Sequence, residues 1–83
     1  MYDLVLSRTA KGQIKRLPKH YQKSAVEALE DLKNTPLLGK ALVRELKGKF
    51  SFRFGPYRII YKINRKEKRV EVLAVRHRKF AYS

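Results

Sequence analysis

The chain contains no cysteine. That removes any disulfide framework and any thiolate metal site. Two histidines with no cysteine beside them give almost no basis for a metal centre either, so neither a metal nor a cofactor is expected. No apolar run is long enough to cross a membrane. The opening MYDLVLSRTAK is too short in apolar residues for a signal peptide, which points to a cytoplasmic protein. There is no repeat, no linker and no low-complexity tract, so 83 residues read as one small domain, 1–83. Hydrophobic residues make up 43% of the chain, enough for a single core. A chain this short buries only about 60–65% of its extended surface, so its stability should be modest.

Acidic residues are also scarce: 7 Asp and Glu stand against 21 Lys and Arg, a net charge of +14. The imbalance is uneven. Residues 47–83 hold 12 Lys and Arg and two acids, Glu67 and Glu71, so +10 sits in that part. Such a field draws in nucleic acid or an acidic protein through long-range attraction and counterion release. The plain alternative is a solvated basic surface that aids solubility. Charge alone does not choose among RNA, DNA, anionic lipid and an acidic partner.

The most informative stretch is FSFRFGPYRIIYKI, Phe50 to Ile63. Two runs of alternating apolar and polar residues flank Gly55-Pro56, the pattern of a β-hairpin. A loop symmetric about Gly55-Pro56 sets Phe54 across from Tyr57, Arg53 from Arg58 and Phe52 from Ile59. One face then carries Phe50, Phe52, Phe54, Tyr57, Ile59, Tyr61 and Ile63, and is a core face. The other carries Ser51, Arg53, Arg58, Ile60 and Lys62. It places two guanidiniums opposite each other, where like charges destabilise a strand pair. A chain that tolerates this can use the pair to hold an anion, and RNA phosphate is the leading candidate. Proline in the second turn position is unfavourable in ordinary two-residue turns, and a longer, lopsided loop would shift the register.

The rest of the chain frames this hairpin. Tyr2 to Leu6 reads as a strand, and Ser7 or Thr9 can cap a helix over 8–17 with Ile14 and Leu17 on one face. Pro18 separates it from a helix over 20–33, where Tyr21, Ala25, Ala28, Leu29 and Leu32 recur every three or four residues with Val26 beside them. Asn34-Thr35-Pro36 stops that helix. Residues 36–48 read as a connector tacked to the core by Leu37, Leu38, Leu42 and Leu46. Beyond the hairpin, Arg69 to Val75 is nearly all apolar, as expected of an interior strand. The element order is β-α-α-β-β-β. It predicts an α+β domain, an antiparallel sheet with an N-terminal αα-hairpin packed on one face.

In this order the motifs resemble the RelE toxins of bacterial and archaeal toxin–antitoxin pairs. The resemblance covers nearly the whole length. It rests on Leu46-Lys47-Gly48, on the run from Phe52 through Gly55-Pro56-Tyr57-Arg58 to Tyr61, and on Val75-Arg76-His77-Arg78-Lys79 with Tyr82 close behind. It implies a RelE-like fold and a toxin that enters the ribosomal A site and cuts mRNA without a metal. In that reaction the 2′-hydroxyl attacks the adjacent phosphorus and expels the 5′-oxygen of the next nucleotide. It further implies a cognate RelB-like antitoxin with an acidic segment, and operator DNA bound only through the toxin–antitoxin complex. The expected partners are therefore that antitoxin, the 70S ribosome and mRNA, with no role for a membrane. The same superfamily holds ParE toxins, which share the scaffold and poison DNA gyrase without cutting RNA. A non-catalytic basic nucleic-acid-binding module is a third reading.

Cleavage needs a base for the 2′-proton, cations for the phosphorane and support for the leaving oxygen. None of the seven carboxylates lies on the basic hairpin face, which argues against a paired-carboxylate mechanism. By resemblance, Arg58 and Arg53 grip the phosphate, and a planar fork of donors suits its oxygens. Arg78 supports the leaving oxygen by charge. Tyr82 matches a C-terminal tyrosine of the family; it serves as base only if guanidiniums lower its pKa, and otherwise stacks on a base. Lys47, Lys49, Arg76, His77 and Lys79 are expected to bind RNA or ribosome. On strand parity His77 faces away from Arg76 and Arg78. Ser51 stands where several relatives carry Lys or Arg, so a cation is missing there, with Lys47, Lys49 or Arg76 as substitutes. Glu45 lies near a position where some relatives use Glu, although Arg44 competes for that match.

Overall fold

The structure, a computed structural model, describes residues 2–80. Strand β1, Asp3–Leu6, ends at Ser7, whose extended backbone and short hydroxyl suit a helix N-cap. Its Oγ accepts from the Ala10 N–H at 3.0 Å and opens helix α1, Arg8–Lys15. The sequence suggested a helix to residue 17. Leu17 instead lies just past the helix end, buried, at the corner before Pro18. The Gln22 amide donates to the carbonyls of Lys15 and Leu17 and holds that corner. Helix α2, Lys19–Asn34, buries Ala25, Ala28, Leu29 and Leu32 at helical spacing and turns Val26 to solvent.

The five strands run in the order β1-β5-β4-β3-β2. Strands β2 (Lys40–Ala41), β3 (Phe50–Phe54), β4 (Tyr57–Asn64) and β5 (Arg69–His77) pair antiparallel in series. The sheet departs from pure antiparallel at one edge, where β1 runs parallel to β5 with Asp3 beside Arg69 and Leu6 beside Val72. Both helices pack on one face, over Ile59, Tyr61, Val70, Val72 and Val75. This is the RelE-like α+β arrangement the element order predicts.

The hairpin register is also the predicted one, with Phe54 opposite Tyr57, Arg53 opposite Arg58 and Phe52 opposite Ile59. The loop has two residues because Gly55 takes φ +53°. A positive φ at the first loop position and a negative one at the second, which Pro56 fixes, satisfy a II′ hairpin turn.

The connector differs from expectation. Leu37 and Leu38 are 61% and 49% exposed and do not tack it to the core. A short 3-10 turn, Pro36–Leu38, bonds Leu38 N–H back to Thr35 O. The anchor is polar instead. Tyr61, fully buried, donates its hydroxyl to Pro36 O at 2.6 Å and accepts from Gly39 N–H at 2.9 Å. Leu42 and Leu46 are half-buried, as the connector reading requires.

A β-bulge sits between β4 and β5. Ile60 pairs with Ala74 and Tyr61 with Val72, so Leu73 is an extra residue on β5. Helix α1 occupies the backbone groups this leaves over. Ser7 Oγ donates to Leu73 O at 2.8 Å, and Gln13 Oε1 accepts from Val75 N–H at 2.6 Å. The extra residue inverts the facing of everything after it.

Two substitutions test the Tyr61 anchor. A Cβ at Gly39 would lie on the Tyr61 hydroxyl and 2.9 Å from two ring carbons. Gly39→Ala is therefore expected to cost about 1–3 kcal/mol by overpacking. Tyr61→Phe leaves a buried N–H and a carbonyl unpaired, at about 1–3 kcal/mol. Burial raises the Tyr61 pKa above the ordinary phenol value, partly offset by the Gly39 N–H. The folded chain thus keeps this proton after the unfolded chain has lost it. The stabilisation is complete below about pH 10 and fades as pH rises through the raised value. Denaturant melts against pH should show that alkaline loss in the wild type and a weaker one in Tyr61→Phe.

Candidate nucleic-acid interface

On the sheet face away from the helices, cross-strand register lines up three arginines. Arg53 on β3 pairs with Arg58 on β4, and Arg58 pairs with Arg76 on β5. Directly opposed residues of antiparallel strands project to the same side. With strands about 4.8 Å apart, the three backbones span roughly 10 Å. The bulge is what completes the row. Without Leu73 as an extra residue, Arg58 would face Val75 and Arg76 would turn to the helix side. Arg53 and Arg76 are exposed, and Arg58 is half-buried. Three like charges in register disfavour the free sheet and favour whatever anion lies across them.

The other candidate residues fall around this row or away from it. Arg78 opens a short 3-10 turn, Arg78–Phe80, and its N–H donates to Pro56 O at 2.7 Å. That bond ties the end of β5 to the hairpin tip and sets the Arg78 backbone one step, about 7 Å, from the row. His77 is on the helix side, as parity predicts, opposite Tyr57. Its ring meets Tyr57 edge-on at 5.5 Å, and its Nδ1 accepts from Lys79 N–H at 3.3 Å. His77 thus joins the ring series His20, Tyr21 and Tyr57 rather than the guanidiniums. Tyr57 and Tyr61 belong to the core side, as expected. Lys47 and Gly48 form the turn into β3, Gly48 with φ +92°, and Lys49 is half-buried just before the strand. Arg44, beside Glu45, holds a positive φ of +59° in that loop. Lys79 is exposed. Tyr82 lies outside the described residues.

Among the described residues, two strand carboxylates share the arginine face, Asp3 beside Arg69 on the edge strand β1 and Glu71 on β5. Glu71 pairs with Lys62, two rows from Arg58 and Arg76, and bonds Arg69 at 3.4 Å. Four residues along a strand is about 13 Å, too far for direct proton exchange with a phosphate held on the arginine row. One further cation on this face is not legible from periodicity. The two-residue β2 brings Lys40 directly across from Ser51 on this same face.

A basic, helix-free sheet face with clustered arginines on a β-α-α-β-β-β-β frame defines a class of small toxins. The family model of the ParE toxin of type II toxin–antitoxin systems matches residues 4–82, and the chain belongs to that family, within the RelE/ParE superfamily. Toxin RelG of Mycobacterium tuberculosis is 40% identical over 83 residues, covering 98% of this chain and 95% of that protein. Toxin RelE of the same organism is 34% identical over 83 residues, covering 98% and 86%. The crystal structure of the toxin–antitoxin complex RelBE2 from M. tuberculosis superposes with a TM-score of 0.86 at 38% identity, covering 92% of this chain and 96% of that one.

The arginine row makes a prediction that needs no assay of activity. Arg53→Gln removes one of the opposed charges and should hold or raise stability, by about 0.2–1 kcal/mol at low salt. Added sulfate should then raise the melting temperature of the wild type more than that of the variant. A variant that melts markedly lower, with an unchanged response to sulfate, would show that Arg53 serves packing instead.

Proposed function

We propose that this protein, as a single domain over 1–83, is the toxin of a type II toxin–antitoxin pair and a ribosome-dependent mRNA endoribonuclease of the cytoplasm. The observation that carries this reading is the register that gathers Arg53, Arg58 and Arg76 into one row with Arg78 a step away. Neighbouring guanidiniums suit the extra negative charge of a pentacoordinate phosphorane, which a ground-state phosphodiester lacks.

The reaction is a transesterification that takes no metal. The 2′-oxygen bonds to phosphorus, the bond to the 5′-oxygen of the next nucleotide breaks, and a cyclic phosphate and a free 5′-hydroxyl remain. One proton leaves the 2′-hydroxyl and one reaches the leaving oxygen. Arg53 and Arg58 hold the non-bridging oxygens, and Arg78 supports the leaving oxygen by charge. The placement of His77 on the helix side argues against it as base. The Tyr82 phenol, which lies outside the described residues, is the remaining candidate the sequence offers for that proton. Lys47, Lys49, Arg76 and Lys79 contribute the wider basic surface for mRNA and ribosome.

The silencing partner is an antitoxin with an acidic segment laid over the same row, and the complex rather than the toxin alone binds operator DNA. The relative whose structure was solved as a toxin–antitoxin complex supports such a partner. A second reading, a gyrase inhibitor without chemistry of its own, is favoured by the ParE name of the matching family.

Primer extension on a reporter mRNA in a translating extract separates the two. Cleavage is expected only while ribosomes translate. Arg58→Ala should lower it by about 10²-fold or more, the usual loss when one preorganised donor is removed, with the melting temperature retained. Intact mRNA alongside DNA breaks and an SOS response on induction would instead establish the gyrase reading.

A further inference from the structure

Beside the arginine row lies a second register row on the same face: Lys40 on β2, Ser51 on β3, Ile60 on β4 and Ala74 on β5. Its members stand two residues along the strands from the arginines, about 7 Å away. Lys40 is exposed. Ser51 is 4% exposed, and its Oγ has no hydrogen-bond partner among the described residues. Buried hydroxyls are ordinarily satisfied, so an unsatisfied one at the edge of a basic face calls for a ligand atom.

We propose that Lys40 and Ser51 form a second phosphate-holding site, which takes the backbone phosphate next to the one held by Arg53 and Arg58. The ligand is single-stranded RNA, gripped at two successive phosphodiesters by two successive rows of the sheet. Lys40 neutralises the charge as a flexible point cation, and Ser51 donates to a phosphate oxygen. The site rests on the RNA-cleaving reading given above, but its test does not require cleavage.

The test is binding of a fluorescent, uncleavable 2′-O-methyl RNA hexamer to the full chain, by anisotropy from low to moderate salt. On single strands each neutralised phosphate adds about 0.7 to the slope of log K against log salt. Lys40→Met and Lys40→Gln should lower that slope by about 0.7 with the melting temperature unchanged. Ser51→Ala should weaken binding and leave the slope alone. Lys40→Met with Ser51→Lys should restore the slope. A wild-type slope in both Lys40 variants overturns the site, and so does a wild type that binds no RNA at low salt. If the wild type fails to cut mRNA but the Lys40 slope change persists, the site stands and the nuclease reading falls.

Discussion

Register between β3, β4 and β5 is the constraint on which the rest depends. Side chains in a sheet alternate with a period of two, so one residue gained or lost exchanges the faces. The hairpin turn at Gly55-Pro56 sets Arg53 opposite Arg58. The extra Leu73 sets Arg76 opposite Arg58, and at the same stroke returns Val75 to the core opposite Ile59. Apolar burial and charge clustering are therefore one choice of register. The 3%-exposed Val75 and the fully buried Ile59 hold the guanidiniums in line from the other side of the sheet.

The bulge would be costly alone, since it frees a carbonyl and an N–H on an interior strand. The residues that satisfy them belong to the chain's opening, Ser7 and Gln13, some sixty residues away in sequence. Ser7 thus caps a helix and steadies the bulge with one hydroxyl, accepting at one lone pair and donating its proton. Against this well-satisfied side, the opposite face collects like charges. Local energetics are worst where the surface is proposed to meet phosphate, a pattern expected of binding sites.

Much of this was legible in the sequence for reasons that can be named. The hairpin register followed from strict alternation and a Gly-Pro loop, and the α2 core positions from their spacing. Other features rest on contacts between distant segments, which periodicity cannot carry. The parallel pairing of β1 with β5 joins residues 66 apart. The bulge leaves no mark in RVEVLAVRH, where every residue from Val72 to Val75 is apolar. A strand of two residues is shorter than any pattern, so Lys40 was invisible as a neighbour of Ser51. Leu37 and Leu38 misled because the sequence counts apolarity and cannot show that a single phenol, Tyr61, already secures the connector.

That phenol reaches further than the core it fills. Its oxygen grips Gly39, the residue immediately before Lys40, so a hydroxyl sealed on the helix side fixes the footing of a side chain on the opposite face. The edge strand has two paired residues to keep it in place, and a further hold comes through the sheet from behind. Loosening one oxygen atom would leave the rim of the basic face free to drift, with no arginine disturbed.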